Sequence, residues 1–148
     1  MYTIGEVSRM FHLPISTLRY YDKEGFFPDL QRISGIRKFS DNELEILRVI
    51  ECLKKSGLEI KEMKQFFVWC KQGSKTYQIR KELFEKQEKI IEEKITDLNK
   101  ILNMVKYKQW YYDEAIKTGS EDLVEQQVPE KLPEKIKRYY ENSHTFSI

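Results

Sequence analysis

Between positions 76 and 117 this chain of 148 residues contains neither proline nor glycine. Without the two strongest helix breakers, the stretch reads as one helix of roughly eleven turns. Stepping alternately four and three residues from Phe84 gives Phe84, Glu88, Ile91, Ile95, Leu98, Leu102, Val105, Gln109 and Tyr112. Seven of these nine are apolar, sustained over four heptads, which is the period of a coiled-coil seam. Alone, such a helix would leave its stripe in water, and the short helices before it are too small to cover all of it. The pattern therefore predicts a homodimer joined through Ile91, Ile95, Leu98, Leu102, Val105 and Tyr112.

The preceding seventy residues read as short, well-punctuated elements. Thr3 followed by Glu6 forms a capping-box signature, in which the hydroxyl takes an orphan amide and the carboxylate reaches back. The first helix, over 3–11, sets Ile4, Val7, Met10 and Phe11 at core spacing. His12-Leu13-Pro14 breaks it, and a second helix over about 15–24 follows, with Ile15 and Leu18 facing inward. Gly25 suits the left-handed residue after that helix. Residues 32–39 read as a basic hairpin turning at Ile33-Ser34-Gly35. Ser40 with Glu43 repeats the capping signature and opens a third helix over 41–56. A fourth, over 60–72, ends at Gly73.

Short helix, tight turn, second helix and basic wing make a device for holding DNA. A helix fits the major groove, where Arg19 can take a guanine edge or a phosphate. Ser16 and Thr17 can bond to bases or phosphates, the hydroxyls of Tyr20 and Tyr21 can reach phosphates, and Lys23 adds charge. Arg32, Arg37 and Lys38 on the hairpin supply positive charge to the flanking backbone. Because the net charge is only +2, the nucleic-acid site is a local patch and the chain is no polycation.

Other classes find little support. With two histidines, His12 and His144, and no phosphate-binding glycine loop or metal-hydrolase motif, the chain is expected to be no enzyme. No cofactor and no metal site are expected. No apolar run approaches membrane length, and the first residues lack a signal-peptide pattern. With only Cys52 and Cys70 present, a reducing, cytoplasmic setting with free thiols is expected. After Gly119 the periodicity fades. Trp110, Tyr111, Tyr112, Tyr139, Tyr140 and Phe146 imply a tail that folds back, with one short helix over 134–141 and a small aromatic niche at Trp110, Tyr111 and Tyr139, and with no second domain. The expected organisation is a DNA-binding domain over 1–73, a coiled-coil helix over 74–118 and a tail over 119–148.

Three motifs in this order resemble the MerR family of winged-helix transcription regulators: Tyr2-Thr3-Ile4-Gly5-Glu6-Val7, then Thr17-Leu18-Arg19-Tyr20-Tyr21-Asp22-Lys23-Glu24-Gly25, then Arg32 through Gly35-Ile36-Arg37-Lys38-Phe39. The sequence differs from the commonest pattern in carrying Ile36 and Phe39 where tyrosines often stand, and Pro14 in place of a capping serine. The resemblance implies a mainly α fold, a winged helix-turn-helix with a small β-hairpin wing followed by a long helix that dimerises as an antiparallel coiled coil. It further implies double-stranded DNA as partner, at a near-palindromic promoter site. The activated form would bend and untwist the spacer, reaching RNA polymerase only through promoter shape. Metal-sensing relatives use cysteines around the start and the end of the dimer helix, where this chain has none beyond Cys70.

Ile50-Glu51-Cys52-Leu53-Lys54-Lys55-Ser56-Gly57-Leu58, with Ser34-Gly35-Ile36-Arg37, is similar to the subgroup that answers aldehydes or other electrophiles through a thiol, a stress response. Arg48 and Lys55 lie within one helical turn of Cys52 and favour its thiolate. Its place in the C-terminal half of the helix opposes that, and a free cysteine is also a common core residue. Sensor and core readings of Cys52 both stand at this point. Two other functions share the same architecture: a DNA-bridging protein without an effector, and an interaction module whose coiled coil does the work.

Overall fold

The structure is a computed structural model that describes residues 1–146; positions 147 and 148, the end of the expected tail, lie outside the described residues. The order is β1 (Tyr2–Thr3), α1 (Ile4–Phe11), α2 (Ile15–Lys23), β2 (Gln31–Ile33), β3 (Ile36–Phe39), α3 (Asp41–Lys55) and α4 (Ile60–Gln72). A 3-10 turn (Gly73–Thr76), α5 (Tyr77–Thr118), α6 (Glu121–Glu125) and α7 (Glu134–His144) follow. The chain forms two compact units, Met1–Gln87 and Glu88–Ile148. The fold is mainly helical, with a small sheet, a winged helix-turn-helix and a long C-terminal helix.

In the first unit the punctuation acts as the sequence implies. The Thr3 amide donates to Glu6 Oε2 at 2.7 Å and the Glu6 amide to Thr3 Oγ1 at 3.3 Å, closing the capping box of α1. His12 takes φ 54° and ends the helix. Ser40 and Glu43 cap α3 in the same way, with the Ser40 amide donating at 2.8 Å. A third box, unremarked in the sequence, joins Glu59 and Glu62 at the start of α4. Gly25 follows α2 at φ 87°, a conformation that costs an L side chain about 1–2 kcal/mol.

The sheet order is β1-β3-β2, antiparallel throughout, with Tyr2 opposite Phe39 and Ile33 opposite Ile36. Strand β1 was not foreseen, since two residues carry no periodicity and only pairing with β3 makes them a strand. The core is built from Val7, Leu18, Phe39, Leu47, Ile50 and Leu53, all fully buried, with Tyr21, Phe26 and Phe27 beside them. Each such aliphatic side chain contributes roughly 1.5–3 kcal/mol by leaving water. Two expected inward residues are exposed instead: Met10 and Ile15. Each lies at the edge of its helix's apolar arc, and α1 and α2 bury only Val7, Leu18 and Tyr21 completely.

In the second unit, Tyr107 and Tyr111 of α5 are covered by Val124 of α6 and Leu132, with Trp110, Ile136, Tyr139 and Tyr140 packed around them. The Tyr111 hydroxyl donates to Glu125 at 2.8 Å, and that bond raises the tyrosine's pKa. So the tail folds back as expected, while Tyr112, edge-on to Tyr111, and Phe146 remain exposed. Helix α6 was missed because five residues, three of them acidic, carry no visible period. Along α5, Ile95, Leu98, Leu102, Val105 and Tyr112 are exposed and Ile91 is half-buried. The stripe read from the heptads is thus an uncovered apolar face in the single chain.

Candidate nucleic-acid interface

Helix α2 begins at Pro14, whose carbonyl accepts from the amides of Thr17 and Leu18. A fixed proline φ suits this start. Leu18 and Tyr21, three residues apart, form its buried face. The other faces carry Ser16, Arg19, Tyr20 and Lys23, all exposed, with Thr17 half-buried. Arg19 makes no ion pair among the described residues. These groups form a short polar and cationic ridge of the size a major groove admits.

Tyr21 departs from its expected role. Its ring is 2% exposed, and its hydroxyl donates to Glu51 Oε1 of α3 at 3.0 Å. Burial first, then the bond to Glu51, raises its pKa above the usual tyrosine value. The residue is a core tie between α2 and α3, and the hydroxyl is not available to a phosphate. The signal was present, since position 21 follows Leu18 by three on the inward face. Glu51 lay outside the sequence reading because its partner is thirty positions away.

The wing is held by a residue that the sequence reading passed over. Asp22, its side chain 10% exposed, accepts from Arg32 Nη2 at 2.6 Å and from Arg37 Nε at 2.7 Å, both on Oδ2. Arg32 and Arg37 are directly opposed across β2 and β3. One carboxylate therefore clamps both strands to the last turn of α2. It also neutralises one of the two guanidinium charges, leaving a net charge of one on the group. Lys38, half-buried, sits opposite Gln31 on one side and Thr3 on the other. At the tip, Ser34 and Gly35 take φ 52° and 77°, the paired positive values of a type I′ turn.

Cys52 is exposed, which removes its core reading. It follows Glu51, the acceptor of the Tyr21 hydroxyl, and Lys54 approaches that same carboxylate at 4.0 Å. Of the two cations expected near the thiol, Arg48 is paired with Glu45 at 2.9 Å and lies over the Phe11 ring; Lys55 is exposed. Cys70 is half-buried, packs against the core and lines an apolar cavity of about 520 Å³ with Phe26, Phe67 and Val68. Among the described residues no three His, Cys, Asp or Glu side chains are grouped to hold a metal. Nor is any helix among them long and apolar enough to cross a membrane.

A family profile described as "MerR HTH family regulatory protein" matches residues 2–67. An uncharacterized HTH-type transcriptional regulator of Haemophilus influenzae is 35% identical over 131 residues, 87% of this chain and 97% of that protein. The HTH-type transcriptional regulator AdhR of Bacillus subtilis is 30% identical over 91 residues, 60% of this chain and 65% of AdhR. Among solved structures, HiNmlR, a MerR family regulator lacking the sensor domain and bound to promoter DNA, superposes with a TM-score of 0.71. It is 34% identical, covering 82% of this chain and 98% of HiNmlR.

Proposed function

The chain belongs to the MerR family of DNA-binding helix-turn-helix transcription regulators, and from that premise we propose that it works as a homodimer on a near-palindromic promoter site. The observation that carries this reading is the Asp22 clamp, which fixes the wing beside α2 while leaving Ser16, Arg19, Tyr20 and Lys23 outward. A reading helix and its flanking cations are then presented as one preorganised surface. In this reading Arg19 takes a base edge, while Ser16, Thr17, Tyr20 and Lys23 hold phosphates. The outward donors of Arg32 and Arg37, with Lys38, meet the flanking backbone.

Residues 1–73 serve as the DNA-binding domain, 74–118 as the dimer helix and 119–148 as a tail that braces it. The exposed stripe on α5 supports dimerisation, because an apolar face of that extent is stable only when covered. Two winged helices joined by an antiparallel pair of α5 helices engage two half-sites at once. Activation follows from bending and untwisting the spacer between them, so that polymerase meets a corrected promoter shape.

The signal enters at Cys52. Its exposed thiol adds across an activated double bond, as in a quinone: the Sγ–carbon bond forms as the S–H bond breaks, the π bond is consumed and the proton ends on the carbonyl oxygen. The adduct loads α3, the helix that the Glu51–Tyr21 bond ties to the reading helix. In vitro transcription from the chain's own upstream promoter, with and without a quinone or aldehyde, tests the reading beside Cys52→Ser. Induction lost in the variant supports the thiol trigger, whereas equal induction in both removes it and spares the regulator. Bridging of many unrelated DNA sequences with no induction would favour an architectural protein.

A further inference from the structure

Ile33 and Ile36 face each other directly across the wing turn and are 54% and 55% exposed. Single apolar residues on a surface are ordinary. These two are adjacent and stand at the outermost point of a hairpin, where turn residues are usually polar. Immediately behind them lie Arg32 and Arg37, the pair held by Asp22. The apolar tip is thereby fixed in position relative to α2, backed by net positive charge. An apolar tip so placed needs a partner that is anionic at its rim and apolar inside.

Duplex DNA beside an occupied major groove offers such a surface. Its minor groove, about 6 Å wide, has phosphate edges and walls of deoxyribose C–H groups. It is too narrow for a helix but admits branched side chains as a wedge. Its floor differs by base pair: A·T presents acceptors alone, whereas G·C adds the guanine N2 amine donor. Isoleucine laid over that amine would strip its water and return no hydrogen bond, the costly case for a buried donor. An A·T groove spares that loss, and its narrower width concentrates negative potential toward the arginines.

We infer that Ile33 and Ile36 form an apolar wedge that enters the minor groove flanking each half-site and selects A·T over G·C pairs there. The inference rests on the DNA-reading role of α2 proposed above and adds to it a second, separate source of specificity. It also gives a use to Ile36, one of the positions at which the wing departs from the commonest pattern.

The experiment begins by selecting sites from a random duplex pool with the full chain and with an Ile33→Ser/Ile36→Ser double variant. The wild type should recover half-sites flanked by A·T pairs; the variant should recover the same half-sites with random flanks. Fluorescence anisotropy then compares the selected duplex with A·T, G·C and inosine·C flanks, inosine lacking only the minor-groove amine of guanine. G·C flanks should weaken wild-type binding roughly tenfold, inosine should restore most of it, and the variant should respond little to any of the three. Inosine binding as weakly as guanine, or a wild type indifferent to its flanks, would overturn the wedge while leaving the half-site reading intact. Recovery of no half-site by either protein would overturn the role of α2 and the wedge with it. Neither side chain belongs to the buried core, so both proteins should give the same circular dichroism spectrum, which excludes misfolding as the cause.

Discussion

Replacing Asp22 by alanine sets two effects against each other, and their balance tests whether the wing must be held in place. Arg37 is about one quarter exposed and Arg32 one half, against a carboxylate one tenth exposed. A charge-assisted hydrogen bond contributes about 1.5–3 kcal/mol when well buried, so the Arg37 bond belongs near the lower end. The half-exposed Arg32 bond is screened to about 0.5 kcal/mol. Together they give roughly 2 kcal/mol of wing anchoring, lost in Asp22→Ala. The variant also carries one more positive charge at the interface, which steepens the salt dependence of binding by about one ion. Affinity for a scrambled duplex should therefore rise. Affinity for the selected site should fall roughly tenfold, since binding must now order a loose wing. Anisotropy titrations of both duplexes between about 50 and 200 mM salt separate the two effects. An equal gain on both duplexes would refute the argument, leaving Asp22 as a repulsive charge and the wing as self-supporting.

Arg19→Ala should cost about 1–3 kcal/mol on the selected site and relax specificity at one base; an equal loss on every sequence would reduce Arg19 to a phosphate contact. Tyr21→Phe removes the hydroxyl bonded to Glu51 and should lower stability by about 1 kcal/mol while DNA affinity stays nearly unchanged. A large loss of affinity without a thermal shift would instead return the hydroxyl to the DNA side. Leu98→Glu, at the middle of the exposed α5 stripe, should convert the dimer to a monomer in sedimentation equilibrium; an unchanged mass would remove the coiled-coil assignment. Acid should fray α1. The Glu6 carboxyl is held below its ordinary pKa of 4.5, first by the Thr3 amide and then by the Thr3 hydroxyl. Its contribution is present above 4.5 and lost as pH falls through the lowered value. Amide protection at the start of α1, taken against the intrinsic exchange rate, should fall there in the wild type and already be low in Glu6→Ala.

Local chemistry made most of the first unit readable. Capping pairs at Thr3 and Ser40, glycines at 25 and 73, and apolar steps through α3 are short-range signals that fix where helices start, stop and face. Cys52 and Tyr21 were ambiguous for the same reason, because helical phase alone does not say how wide the buried arc is. The Asp22 clamp was not legible at all. An acid among basic residues looks like a defect until the hairpin returns Arg32 and Arg37 to it across ten and fifteen positions. The tail was half legible: its aromatics signalled a core, but Val124, next to the exposed Leu123, and Leu132, which close it, carry no period. The exposed stripe on α5 was readable because a heptad repeat is a local period, visible without knowledge of distant contacts.

That stripe has a consequence for how the protein is made and kept. Positions 92–99 of α5 are all exposed, so in a lone chain backbone hydrogen bonds, with little side-chain packing, hold this stretch helical. Helices supported only in that way are marginal in water. Under the proposed pairing, the middle of α5 is firmly ordered only when two chains meet, and its amide protection should rise with protein concentration. Abundance would then act as a threshold. A newly made chain at low copy number would carry a finished reading head on a fraying shaft, exposed to proteases until enough copies accumulate to shield one another.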